Sequence, residues 1–177
     1  MKFIRVDAVV EDGRPKGYLL DPDAYLAELP AFAAALPEGA RRFAEDPDHY
    51  DFFGPRCVKD LKLDRVVLTD REDAVSLEVL FAPNRFKHDR ALSIRYADVT
   101  EFAVDVSAAP RSRNVWPETR RLGDLQLDEV LPRENGCGHE IRMTGGTITV
   151  VAADLVAEWV DVDGAAGSGV TIPAKHP

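Results

Sequence analysis

From Val58 to Val160, apolar side chains recur at every second position in one short run after another, and this period most restricts what the chain can fold into. Leu61 and Leu63 form one run, and Val75, Leu77, Val79 and Phe81 a second. Leu92, Ile94 and Tyr96, then Phe102, Val104 and Val106, repeat the alternation. In an extended strand successive side chains point to opposite faces, so each run presents one apolar face and one polar face. Val66–Leu68 leads into a turn at Asp70-Arg71-Glu72-Asp73, and Leu122–Leu131 and Glu140–Met143 read as further strands. Gly145-Gly146 is a tight-turn signal, and Ile148–Val160 supplies one long strand or two short ones. No stretch between these runs has the length and period of a crossover helix, so the strands pair antiparallel. Pro110–Arg121 has no period and reads as a loop.

The N-terminal third differs in character. Residues 3–10 read as a strand, Asp12-Gly13 as a turn, and Tyr18-Leu19-Leu20 as a returning strand. Asp21-Pro22-Asp23-Ala24-Tyr25 and Asp46-Pro47-Asp48-His49-Tyr50 then repeat one pattern. Aspartate accepts the orphan N–H groups of a helix start, proline fits the first helical position, and a second acid suits the positive dipole end. Short helices are expected near 22–36, 38–45 and 47–53, kinked or broken at Pro30 and Pro37. The fold class is therefore α+β: a mainly antiparallel sheet of hairpins and meanders, with the helices covering one face or edge. A single domain is expected over 1–163, helical about 21–54 and β-rich about 58–160, with a C-terminal tail at 164–177.

A chain of 177 residues, 45% hydrophobic and 30% charged, can bury a sizeable core without staples. Its two cysteines, Cys57 and Cys137, are too few for a disulfide scaffold and suit a reducing compartment. Met1–Asp7 mixes charge into its apolar residues, unlike a signal peptide, and no apolar stretch is long enough to span a bilayer as a helix. A cytoplasmic location is the expectation. The net charge of −9 repels phosphate backbones and anionic membranes and attracts a basic partner. Residues 122–163 hold nine acids and two arginines, a net of −7, which predicts an acidic sheet surface carrying Asp124, Asp128 and Glu129 as partner contacts.

Local motifs of the large enzyme classes are missing. The sequence has no phosphate-binding Gly-rich loop, dinucleotide fingerprint, nucleophile elbow or zinc helix. One cluster holds chemistry: Asp128, Glu129, Glu134, Cys137, His139 and Glu140. Cys137 and His139 would share a strand face, and with a carboxylate such as Glu140 they form a candidate nucleophilic site. A candidate zinc set would add His49 or His88 to Cys137 and His139. His49 also reads either as a titrating switch or as a packing residue with a polar tip. Arg111, Arg113, Asn114, Trp116, Arg120 and Arg121 interleave cations with an aromatic, which reads as a solvated loop pairing with the chain's own acidic sheet, as a protein interface, or as a single-strand platform. Arg85, Lys87, His88 and Arg90 make a second basic turn. The overall charge opposes the nucleic-acid reading of both.

Leu127-Asp128-Glu129-Val130, Gly136-Cys137-Gly138-His139-Glu140-Ile141 and Gly145-Gly146-Thr147-Ile148 resemble the C-terminal half of small uncharacterised bacterial α+β proteins, some of which are toxin-immunity proteins. The resemblance covers about 40 residues and assigns no functional residue. Together with the acidic C-terminal sheet and the missing catalytic motifs, it puts first a non-enzymatic, cofactor-free module that binds another protein, a basic one by charge. Two other expectations stand beside it: a small hydrolase or metal-dependent enzyme built on His139 and Cys137, and a self-assembling protein that pairs an exposed sheet edge into a homodimer.

Overall fold

The computed structural model describes residues 1–12, 14–106 and 121–161. The described part is mostly antiparallel sheet with two short helices. A hairpin of β1 (Arg5–Glu11) and β2 (Arg14–Asp21) comes first. Helix α1 (Asp23–Phe32), a 3₁₀ turn (Ala33–Ala35) and helix α2 (Glu38–Ala44) follow. The remaining strands are β3 (Lys62–Asp70), β4 (Val75–Ala82), β5 (Ala91–Ala97), β6 (Glu101–Asp105), β7 (Leu125–Arg133), β8 (Gly136–Met143), β9 (Gly146–Ala152) and β10 (Asp154–Val160). One sheet has the order β10-β5-β4-β3 and the other β6-β9-β8-β7.

Of the two alternatives for 148–160, one long strand or two short ones, the chain adopts the second and changes sheets at Ala153. There the Ala153 N–H donates to the Ala97 carbonyl at the matching corner between β5 and β6. Asp98 absorbs the bend with a φ of 50°, a left-handed conformation that aspartate tolerates better than most residues. At the opposite edges the Leu125 N–H donates to the Leu61 carbonyl at 2.7 Å, and the Asp60 N–H to the Leu125 carbonyl at 2.8 Å. The two sheets are thus joined at both sides, and their inner faces meet in one core. Leu77, Val79 and Phe81 of β4 and Leu92, Ile94 and Tyr96 of β5 lie in it with Val130, Ile141, Ile148 and Val150 of the other sheet. Each such side chain, fully buried, stabilises the fold by roughly 1.5–3 kcal/mol.

The duplicated aspartate pattern performs the same local job twice. The Asp23 N–H donates to Asp21 Oδ1 at 3.0 Å, and the Asp48 N–H to Asp46 Oδ1 at 2.9 Å, so each first aspartate closes a side-chain turn. Only the first copy starts an α-helix. Residues 47–50 form turns instead of the expected helix at 47–53. Gly54-Pro55 leaves too few residues to repay helix nucleation. Pro30 does not break α1, which continues to Phe32. The chain becomes extended at Leu36, as the residue before Pro37 must, and Pro37 then precedes α2. Asp154 receives the first turn of α2, accepting the Gly39 and Ala40 N–H groups at 3.1 and 2.9 Å.

Candidate functional site

The titratable side chains with the richest contacts lie between the two sheets. On β7 and β8, Asp128 stands opposite Ile141 and Val130 opposite His139, so aspartate, valine and histidine share the inner face. Cys137, two residues from His139, points the same way, as the strand period requires. Tyr96 reaches across from β5, and its hydroxyl lies 2.7 Å from His139 Nδ1. His139 Nε2 lies 2.7 Å from Asp128 Oδ2. His49, from the turn segment after α2, places its Nε2 2.7 Å from Asp128 Oδ1 and its Nδ1 3.0 Å from the Phe43 carbonyl. The Tyr50 hydroxyl donates to the Asp128 carbonyl at 2.8 Å.

Hydrogen-bond logic fixes the protons in this array. A carbonyl can only accept, so His49 Nδ1 carries a hydrogen. An ionised carboxylate also only accepts, so His49 Nε2 carries one as well and the ring is an imidazolium. With the Tyr96 hydroxyl donating to His139 Nδ1, the His139 hydrogen sits on Nε2 and is donated to Asp128. The array then sets the His49 cation against the Asp128 anion, and every ring nitrogen of both histidines has a hydrogen-bond partner. Burial disfavours the charged form of His49, but the Asp128 charge, its hydrogen bond and the Phe43 carbonyl outweigh this and raise the His49 pKa. Burial likewise opposes the Asp128 charge, yet the His49 charge and the hydrogen bonds from both histidines hold that carboxyl well below its ordinary range. Burial and the nearby Asp128 charge push the Tyr96 hydroxyl well above its usual pKa.

This arrangement resembles a catalytic relay in composition, but not in access. Asp128 and His139 are each 1% exposed and His49 is 2% exposed. A shallow groove lined by Leu26, Leu29, Glu45, Asp46 and Tyr50 passes outside the array without opening on the imidazoles. Neither ring keeps a lone pair to offer a metal, and among the described residues no group of three or more His, Cys, Asp or Glu is arranged to hold an ion. Cys137 is 1% exposed, and burial followed by the Asp154 charge pushes its thiol up to about 12, so little thiolate exists at neutral pH.

The other candidates fall elsewhere. Glu140 is on the opposite face of β8 from His139, because neighbours in a strand alternate. It pairs with the Met1 amino group, beside Glu129, which accepts the Lys2 and Phe3 N–H groups at 2.5 and 2.7 Å. His88 does not join His49 and His139. Its Nε2 meets the Cys57 carbonyl at 3.0 Å, and its Nδ1 accepts the Asn84 N–H at 3.1 Å. Burial, then the charge of Lys87, lowers its pKa.

The acidic partner surface needs correction. Asp128 and Glu129 are both 1% exposed, committed to histidines and to backbone N–H groups, so neither can contact a partner. Residues 125–130 of β7 are buried on both faces, which the alternating pattern alone does not reveal. Asp124 stays partly exposed near Lys62 Nζ at 3.6 Å. Arg121 lines a shallow groove with Lys62, Leu63 and Asp124. Arg111, Arg113, Asn114, Trp116, Arg120 and the tail at 164–177 lie outside the described residues.

Sequence reading missed the most exposed aromatics among the described residues. Phe53 is 97% exposed and Phe86 102% exposed. Their loops are tied together: Arg56 Nη2 donates to Asp89 Oδ2 at 3.0 Å, Lys87 Nζ to the Lys59 carbonyl at 3.3 Å, and His88 to Cys57 as above. Each loop is fixed by an acceptor two residues before its phenylalanine. The Phe53 N–H donates to Asp51 Oδ1 at 3.2 Å, and the Phe86 N–H to Asn84 Oδ1 at 3.1 Å. A phenylalanine inside an Asx or Asn turn, flanked by glycine or charge, was the available signal. No family profile, curated protein or solved structure matches the chain. Among the described residues no helix is long and apolar enough to cross a membrane.

Proposed function

We propose that the chain is a non-enzymatic protein-binding module, of the immunity or regulatory kind, which engages its partner through Phe53 and Phe86. The observation that carries the reading is the near-complete exposure of two phenylalanines on adjoining, internally braced loops. Buried aromatic anchors supply much of the energy of protein interfaces. Loops already fixed by side-chain turns lose little freedom on docking. Among the surrounding cations, Arg56 is matched by Asp89, and Lys59 and Lys87 share the single carboxylate of Asp60. The tips present apolar area between these ion pairs, while the chain's charge of −9 speeds encounter with a basic partner. An enzyme built on His139 or Cys137 would need substrate to reach side chains that the core encloses.

Affinity capture from the source cells, followed by measured binding of the recovered protein, tests the proposal. The wild-type chain is expected to hold a stoichiometric partner, and the double variant F53A/F86A to lose it without change in folding stability. Recovery of no partner, or equal binding by the double variant, would refute the reading.

A further inference from the structure

The β1–β2 hairpin has features that a protected sheet edge lacks. Among the described residues its two strands pair only with each other. A two-stranded ribbon is marginal in water, and a free edge offers unpaired backbone groups to another strand. Against edge pairing β1 carries only charged side chains, which can pair with a partner strand, whereas a bulge and a proline blunt β2. The register shifts there between Val9↔Gly17 and Val10↔Pro15, leaving Lys16 unmatched beside a proline and beside Gly17 at φ 153°. Strand β1, Arg5-Val6-Asp7-Ala8-Val9-Val10-Glu11, has no proline, glycine or bulged residue of its own. It is exposed along almost its whole length, with Val9 44% and Val10 60% exposed.

We infer that β1 pairs with β1 of a second copy of this chain, antiparallel about a two-fold axis at Ala8, joining two hairpins into a four-stranded sheet. Residues directly opposite in an antiparallel ladder must have the same hydrogen-bonding sense, and that sense alternates along the strand. A symmetric pair can therefore centre only on a residue. Centring on Ala8 matches all seven residues. It sets Arg5 against Glu11 of the other copy, twice by symmetry. It also places Val6 against Val10 and Ala8 against Ala8 on the other face, where β2 contributes Tyr18 and Leu20. Moving the centre to Asp7 sets that aspartate against itself, and moving it to Val9 sets Asp7 against Glu11. Like charges directly opposite destabilise a ladder, so the charge pattern selects one register and rejects its neighbours. Within one chain Arg5 rests on Asp7 at 3.2 Å and Glu11 on Lys16 at 3.1 Å. All four side chains are well exposed, and such surface pairs exchange partners at little cost. The inference does not rest on the partner surface at Phe53 and Phe86.

Sedimentation of the full chain over rising concentration is the test. The wild type is expected to pass from one chain mass to two. Arg5→Glu and Glu11→Arg should each weaken the dimer by about ten-fold, since every dimer contains the contact twice and each contact carries a factor of a few. An equimolar mixture of the two variants should recover wild-type affinity, because Glu then faces Arg at both sites. Ala8→Lys, which brings two cations together on the axis, should leave a folded monomer, as judged by circular dichroism. A wild type that stays monomeric to several hundred micromolar would overturn the inference. So would a dimer indifferent to these charges, or a mixture no tighter than its components.

Discussion

Replacing Asp128 separates the two things this carboxylate does, filling space and balancing charge. In Asp128→Ala both histidines lose their acceptor, and the His49 imidazolium has no counter-ion in an enclosed site. Each charge-assisted hydrogen bond contributes about 1.5–3 kcal/mol, and removing one partner of a buried pair costs about 3–5 kcal/mol. That is a large share of the roughly 5–15 kcal/mol that stabilises an ordinary domain. Asp128→Asn can rewire. Its amide oxygen accepts from His139 Nε2, its NH₂ donates to a neutral His49 Nε2, and His49 Nδ1 keeps the Phe43 carbonyl. Its cost should be about 1–2 kcal/mol, the loss of charge assistance alone.

The pH dependence gives a second, independent readout. In the wild type the Asp128 carboxyl is depressed, so its contribution is present above about pH 4 and lost as pH falls through the folded value. His49 is raised, so its contribution is full below about pH 6.5 and lost as pH rises through its elevated value. Wild-type stability from this array should therefore be greater at pH 6 than at pH 9. In Asp128→Asn the buried His49 has no anion to favour its charge. Its pKa falls, and stability should instead decline as pH drops below about 6.5. Urea unfolding of the three proteins at pH 6, 7.5 and 9 measures both effects. Equal penalties for alanine and asparagine, or parallel pH profiles for wild type and Asp128→Asn, would refute the assignment of charge to His49.

Other expectations follow from the same contacts. Tyr96→Phe removes the donor to His139 Nδ1 and strands a buried lone pair; chemical denaturation should show a loss of about 1–3 kcal/mol. Cys57 and Cys137 are both buried, so neither should react with a thiol reagent until the chain unfolds, and rapid labelling of Cys137 in the native state would contradict the packing. Gly39→Ala would set a Cβ 1.9 Å from the Leu155 carbonyl oxygen where α2 meets β10. Thermal unfolding should register a destabilisation of about 1–3 kcal/mol, as for other overpacked positions.

The period-two runs and turn residues made the antiparallel sheet legible, because alternation is a property of each strand alone. The changeover at Ala153 was half legible: the long run at 148–160 was seen, but a corner depends on which strand lies beside it. The two aspartate patterns were read as helix caps, but each closes only a local side-chain turn: α1 has no side-chain cap, and the second copy, followed closely by Gly54-Pro55, starts no helix. Cys137 and His139 were placed on one face by spacing. Asp128 was read as surface because an acid is costly to bury alone, and its two histidines stand 11 residues later and 79 residues earlier. Adjacent apolar residues at Val130-Leu131 after Leu127 already suggest a strand buried on both sides, and they place Asp128 inside with its neighbours. Phe53 and Phe86 carry no period, and their exposure is a property of the loops that hold them.

An imidazolium–carboxylate pair, sealed between the sheets, holds the segment after α2 to β7. Nitrogen-15 and proton NMR of the histidine side chains at pH 7.5 tests it most directly. Two slowly exchanging ring N–H signals from His49 and one Nε2–H signal from His139, with Nδ1 unprotonated, are the predicted result. Rapid exchange at both rings, or a neutral His49 at that pH, would contradict it.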